Sequence, residues 1–242
     1  MTGRTALITG ATGDIGGAIA RAMSAAGYAL TVTGRRAEVL GRTVATLPAG
    51  ADADTVVADL RDDDARTGLV TRHASRYGRM DALVVCAGAG WSRPLADSRA
   101  QHFDDAFAVN ARASFALVAD SIGLLRKAAE ETGAARVVVV SSLTAHYPEA
   151  GLAAYSASKA ALGSLCRSVN IEHAADGILA SAICPGYVDT RMSDWKKDVI
   201  AADRMVTTAD VTAAVMFVLG LSPAAVVPEI QLIRASSRLY EA

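Results

Sequence analysis

A chain of 242 residues, 52% hydrophobic and with a formal net charge of -1, can bury one sizeable core and offers no basic field for nucleic acid. Its cysteines, Cys86, Cys166 and Cys184, are odd in number and widely spaced in apolar stretches, which argues against a disulfide framework or zinc site and for reduced thiols in a cytoplasmic protein. MTGRTALITG has no long apolar stretch before a small-residue cleavage site, and VVVV at 137–140 is far too short to cross a bilayer, so neither leader nor membrane anchor is expected.

The first predicted element is TALIT at 5–9, an apolar run of strand length. It leads into TGATGDIG, residues 9–16, and then into the helically spaced IGGAIARAMSAAG. A strand, a glycine turn and an amphipathic helix in that order put backbone N–H groups and the positive end of a helix dipole where a diphosphate can sit. Gly10, Thr12, Gly13, Asp14, Ile15 and Gly16 are therefore candidate dinucleotide contacts, against the plainer reading that the glycines only permit a tight turn. Asp14 suits a helix-start residue that caps free N–H groups and points away from the phosphates.

The second strand, ALTVT at 29–33, ends in TGRR. Arg35 and Arg36 stand where an NAD-preferring protein carries an acid for the ribose 2′-hydroxyl, and a guanidinium offers paired donors to a 2′-phosphate. NADP is favoured; NAD stays open, because adjacent arginines at a helix start also serve as solvated charge. TVVA at 55–58 is the third strand, and Asp59 after it reads on its own as a strand-end cap. After the helically spaced DARTGLVTRHASRYG comes the fourth strand, ALVVC at 82–86, which runs into VCAGAG.

RVVVVS at 136–141 is the fifth strand, and Ser142 stands at its carboxyl edge, where open α/β sheets bind ligands. The helical spacing of AAYSASKAALGSLCRSVNIEHAA then sets Tyr155 and Lys159 one turn apart on a shared face. A phenol with an ordinary pKa of about 10 is a poor proton donor or acceptor at neutral pH, and a neighbouring ammonium lowers that value. LASAIC at 179–184 is the sixth strand, followed by PGYVDT, and EIQLI at 229–233 is the last, at the sheet edge. Residues 186–208 interrupt the alternation and read as a flap over the site. Runs apolar on both faces, separated by helices, predict a single α/β domain over 1–242: a Rossmann-type, doubly wound parallel sheet of about seven strands with helices on both faces.

From TGATGDIG onward, and more strongly with YSASK and PGYVDT in order behind it, the chain resembles the compact, single-domain branch of the short-chain dehydrogenase/reductase family. Against the usual TGxxxGIG it keeps Gly10, Ile15 and Gly16, with Asp14 in place of a glycine and Gly13 one place earlier. Against NNAG it keeps Ala87 and Gly88, while Val85 and Cys86 replace the asparagines. The resemblance implies that Asp59 and Leu60 lie beside the adenine, that Pro185, Gly186, Val188 and Thr190 line the nicotinamide end, and that Ser142, Tyr155 and Lys159 form a catalytic set. It also implies that Asn110, in FAVNARASF, belongs to a water-linked proton relay through the lysine, and that helices around 99–131 and 153–175 join copies into a homodimer or homotetramer.

The function so implied is an NADP(H)-dependent oxidoreductase that interconverts a small ketone or aldehyde and an alcohol. Ser142 polarises the carbonyl, Tyr155 gives the proton, and Lys159 tunes Tyr155 and holds the nicotinamide ribose. The GxxGxxG spacing also resembles nucleotide-sugar epimerases and dehydratases, against which the short stretch after PGYVDT argues. A non-catalytic NADP(H) sensor would have no need of the three site residues together. Trp91, His146, Tyr147, Tyr187, Met192 and Trp195 are candidate pocket residues, and the aromatics among them point to a partly apolar pocket. Arg191, Lys196 and Lys197 either attract an acidic group or are solvated flap charges, and His146, without a partner at ligand spacing, is not expected to bind a metal.

Overall fold

The structure, a computed structural model, describes residues 3–235; the ends of the expected 1–242 span lie outside the described residues. Seven strands form one parallel sheet: β1 (Thr5–Ile8), β2 (Ala29–Gly34), β3 (Ala53–Val57), β4 (Ala82–Val85), β5 (Ala135–Val140), β6 (Ile178–Pro185) and β7 (Glu229–Leu232). Every residue of β1, β4, β5 and β6 is buried, whereas the edge strands β3 and β7 are partly exposed. The inner strands are therefore apolar on both faces, as strands covered twice must be.

Alternation along β4 shows the two layers. Ala82 and Val84 face a core shared with helices α1 (Asp14–Ala25), α2 (Ala37–Ala45) and α7 (Thr208–Leu219); Leu83 and Val85 face α3 (Asp63–Tyr77), α5 (Ala113–Thr132) and α6 (Ala153–His173). The strand order β3-β2-β1-β4-β5-β6-β7 reverses between β1 and β4. The crevice beyond the carboxyl ends of those two strands is where such sheets take ligands.

The helix expected around 99–131 is a continuous run: α4 (Ala100–Phe107), a π-helical turn at Ala108–Arg112, then α5. Among the described residues this run alone is long and apolar enough to cross a membrane, a feature that the short apolar runs of the sequence had not shown. Its apolarity has a local cause, since Leu117, Leu124, Leu125 and Ala128 pack into the core beneath β4 and β5. The segment 186–208 forms 3-10 turns at Arg191–Lys196 and Ala202–Arg204, and an isolated bridge pairs Val188 with Val206, both buried.

His73 is wholly buried between α3 and the sheet. Its Nε2 lies 3.0 Å from the Arg79 carbonyl and its Nδ1 2.8 Å from Thr31 Oγ1, so the neutral ring donates from Nε2 and accepts at Nδ1. Burial pushes His73 down from 6.5 to about 4. Between those pH values the unfolded chain takes up a proton that the folded chain refuses, so stability is complete above 6.5 and falls on acidification, by on the order of 3 kcal/mol once the pH reaches the folded value. Urea midpoints from pH 7.5 to 4.5 should show this acid sensitivity in the native protein and a smaller one in His73→Gln; an unchanged slope in the variant would remove His73 as its cause.

Candidate active site

The crevice begins at the turn after β1. Gly10 holds φ at +66°, and a side chain there would come within 2.7 Å of the Ala87 nitrogen. A Cβ on Gly16 would overlap the Gly10 carbonyl oxygen. Gly13 is less constrained: it has φ -86° as the N-cap of α1, its nitrogen donates to Gly10 O at 2.9 Å, and a Cβ would meet that oxygen only at 3.3 Å. The tight turn is thus imposed by Gly10 and Gly16, the two glycines shared with TGxxxGIG. Thr9, which the sequence reading passed over, ties the two strand ends together, its Oγ1 accepting from the nitrogens of Cys86 and Ala87 at 3.1 Å each.

No side chain caps α1, so the expectation that Asp14 does so is corrected. Its carboxylate accepts instead from the backbone nitrogen of Arg191 at 2.9 Å and from Arg191 Nε at 3.1 Å. Burial pushes the Asp14 carboxyl up, and the hydrogen bonds from Arg191 outweigh that and hold it below its ordinary value. An arginine on the segment after β6 has displaced the local N–H groups as partner, because charge-assisted contacts from a fork of donors are the stronger ones.

The turn opens into a cleft of about 530 Å³ lined by Gly10, Thr12, Gly13, Asp14, Ile15 and Gly16. Arg35, Arg36, Asp59 and Leu60 line one end of it, Ala87 and Gly88 the middle, and Pro185, Gly186, Val188 and Thr190 another wall. Both arginines are exposed, and neither forms an ion pair among the described residues. Asp59 accepts from Arg61 Nε at 3.0 Å, from its Nη2 at 2.6 Å and from its backbone nitrogen at 3.0 Å, chiefly because of which its carboxyl is held down to about 2. Arg61 also lines the cleft and carried no signal in the sequence beyond its charge.

Ser142, Tyr155 and Lys159 converge on the same cleft from β5 and α6. Ser142 Oγ accepts from Thr144 N at 3.2 Å and Thr144 Oγ1 at 2.9 Å, which leaves its own proton to donate. Ser141 is committed elsewhere, donating to the Lys159 carbonyl at 2.8 Å. Lys159 Nζ donates to the Val140 carbonyl at 2.9 Å and lies 5.8 Å from the centre of the Tyr155 ring.

The electrostatics of this corner differ from the sequence expectation. Burial pushes the Tyr155 phenol above its ordinary value and the Ser142 hydroxyl offsets part of that, while Lys159 supplies no resolved lowering. Burial also brings Lys159 down to about 8, so the same apolar surroundings disfavour both charges.

Asn110 is the catalytic candidate that the cleft leaves out. It is buried in the π-helical turn, where Oδ1 accepts from Ala89 N at 2.9 Å and Nδ2 donates to Ala89 O and Ser158 Oγ, each at 2.9 Å. The side chain thus straps the loop after β4 to α6 and is hydrogen-bonded to neither Lys159 nor Tyr155.

Of the expected pocket residues, Trp91, Tyr187, Met192 and Trp195 line the cleft; His146 and Tyr147 do not. His146 turns to Glu229 at 2.9 Å, with Cys184 close by, so its ligand-type partners come from distant strands and were invisible as spacing. Tyr187 donates to Glu149 Oε2 at 2.8 Å and Lys196 Nζ reaches the same oxygen at 3.1 Å, which makes Glu149 an unforeseen anchor of the segment after β6.

The short chain dehydrogenase family model matches residues 4–199. The chain is 31% identical over 216 residues to a D-beta-hydroxybutyrate dehydrogenase from Rhizobium meliloti, covering 88% of this chain and 82% of that protein. A variant of the actinorhodin polyketide ketoreductase with NADPH is similar in structure, with TM-score 0.85 and 28% identity over 95% of this chain and 94% of that one. An alcohol dehydrogenase from Thermococcus sibiricus complexed with 5-hydroxy-NADP shares the fold, with TM-score 0.86 and 23% identity over 97% and 98% of the two chains.

The unequal demands on the glycines are open to test. Gly16→Ala should destabilise the protein by about 2 kcal/mol or more, since backbone must move, whereas Gly13→Ala should cost no more than about 1 kcal/mol. Equal losses for the two variants in urea denaturation would contradict the steric assignment.

Proposed function

We propose that this chain, which belongs to the short-chain dehydrogenase/reductase family, is an NADP(H)-dependent oxidoreductase interconverting a ketone or aldehyde and an alcohol. The observation that carries the reading is the convergence of Ser142, Tyr155 and Lys159 on the cleft whose other end is the glycine turn. The cleft, lined by the glycine turn and the loops after β1 and β4, fits a dinucleotide laid along those strand ends, with Lys159 to hold the nicotinamide ribose and Asp59 and Leu60 the adenine side. When bound, the coenzyme supplies or accepts the hydride.

This chain's own groups then handle the oxygen and its proton. Ser142 donates its hydroxyl hydrogen to the carbonyl oxygen and fixes its position. Tyr155, protonated at neutral pH and pushed further above its ordinary value by burial, gives its proton to the oxygen as negative charge builds there. Lys159, at about 8, keeps most of its charge at pH 7 and favours the phenolate left behind. A buried, protonated phenol suits the reducing direction. Asn110 holds the loop beside Lys159 in register, and we place it in the proton route only through that lysine.

Exposed Arg35 and Arg36 support NADP over NAD, because unpaired guanidinium groups are available to a 2′-phosphate. Trp91, Met192 and Trp195 at the mouth, together with the likeness to a polyketide ketoreductase, support a carbonyl carried on an apolar or aromatic body. Phe115 on α5 and Ile171 on α6, 63% and 84% exposed, support a homodimer or homotetramer joined through those helices.

Tyr155→Phe should bind NADPH within about threefold of the native protein and lose turnover by about 10²- to 10⁴-fold. NADPH consumption against a panel of ketones and aldehydes measures this; retained turnover would reject Tyr155, and binding without consumption in the native protein would favour a sensor. The pair Arg35→Ala and Arg36→Ala, made together, should raise KM for NADPH about tenfold or more while leaving that for NADH unchanged. Equal changes for both coenzymes would reject the 2′-phosphate role.

A further inference from the structure

We infer that Arg191 is a ligand of the coenzyme diphosphate, shared between that group and Asp14, and that it compensates the carboxylate which replaces a glycine in the turn. The inference rests on the coenzyme reading above. Asp14 is the first residue of α1 and lines the cleft, so its carboxylate stands at the helix end where a diphosphate is expected. Uncompensated, that charge repels the ligand the turn is shaped to hold.

Arg191 answers it from 177 residues away in the chain. Its backbone nitrogen and Nε engage Asp14, and Nη2 lies 3.0 Å from Asp14 Oδ1 and 3.2 Å from the Thr12 carbonyl. Nη1 has no partner among the described residues, and the side chain is 62% exposed. A guanidinium offers five donors, so the same group can keep its hold on Asp14 and turn the remaining N–H groups to phosphate oxygens. The main chain is fixed there: Val188 pairs with Val206, and Thr190 and Ser193 close a capping box at the start of the 3-10 turn. Lys197 is the other cation that acts on Asp14, and it is already engaged by Asp189 and Asp194 at 2.8 Å each. Arg191 is left as the compensating charge.

A compensating role differs from mere fastening in the pattern of variants. NADPH affinity is measured by titration for the native protein, Arg191→Ala, Asp14→Gly and the double variant, with adenosine 2′-phosphate, which lacks the diphosphate, as a second probe. Arg191→Ala should weaken NADPH by about 10- to 100-fold, because it removes a ligand and leaves Asp14 bare. Asp14→Gly should stay within about threefold of the native protein, and adding it to Arg191→Ala should recover about five- to tenfold of the loss. Adenosine 2′-phosphate should bind all four proteins alike. The inference is overturned if both single variants and the double are weakened equally, if Arg191→Ala is unimpaired, or if the two probes weaken in parallel. A native protein that binds neither NADPH nor NADH would overturn the coenzyme reading itself, a different result from any of these.

Discussion

The constraint on which the cleft depends is the close contact of the β1 turn with the loop after β4. Gly10 lies against the Ala87 backbone, Gly16 lies against Gly10, and Thr9 bonds the nitrogens of Cys86 and Ala87. Because the glycine contacts are backbone-to-backbone and Thr9 adds a short side chain held by two hydrogen bonds, the two strand ends are fixed relative to each other with little side-chain freedom. The sheet order reverses at this seam, so a crevice opens there, and its floor is rigid for the reason that makes it narrow. The positions of α1 and of the loop that carries Gly88 follow from it.

The same economy of space sets the chemistry. A Cβ on Gly88 would lie 3.1 Å from Lys159 Nζ and 3.2 Å from Asn110 Oδ1, so the loop after β4 passes close over the buried lysine and the asparagine that straps it. Packing this tight buries Lys159 and partly buries Tyr155, and the loss of water pushes the phenol up and the ammonium down. The ammonium therefore drops below the phenol, and a protonated phenol and a modest cation share one corner of the cleft. Burial, not only the proximity of the lysine, makes this pair of groups useful near neutral pH.

Much of this was legible in the sequence, and the boundary is physical. Strands read correctly because burial on both faces leaves a continuous apolar run, as in RVVVVS, and YSASK read correctly because a helical turn is a local object. Contacts closed by the tertiary fold did not. Asp14 looked like a cap because its neighbours in sequence are free N–H groups; its partner comes from the segment after β6. His146 looked solitary because Glu229 and Cys184 reach it only through the β6 and β7 pairing. The lowering of the Tyr155 phenol by Lys159 that the spacing suggested is not found, because spacing gives distance along a helix but says nothing of how far each group is withdrawn from water.

The two walls of the cleft are held by different kinds of force, and the difference bears on how a ligand enters. The glycine turn is fixed by backbone packing. The segment after β6 meets the rest of the protein through polar pairs, Arg191 with Asp14 and Tyr187 and Lys196 with Glu149, all partly exposed. Exposed pairs of this kind contribute about 0–1 kcal/mol each, so they define an orientation without locking it. Its buried anchors, Val188, Ile200 and Val206, sit toward the core and leave Met192 and Trp195 at the mouth. A wall anchored in apolar packing at its base and in weak polar contacts at its rim moves at the rim first. On the proposed function, that rim is where the segment after β6 yields to a carbonyl substrate, and where charges on an entering dinucleotide compete for the same donors.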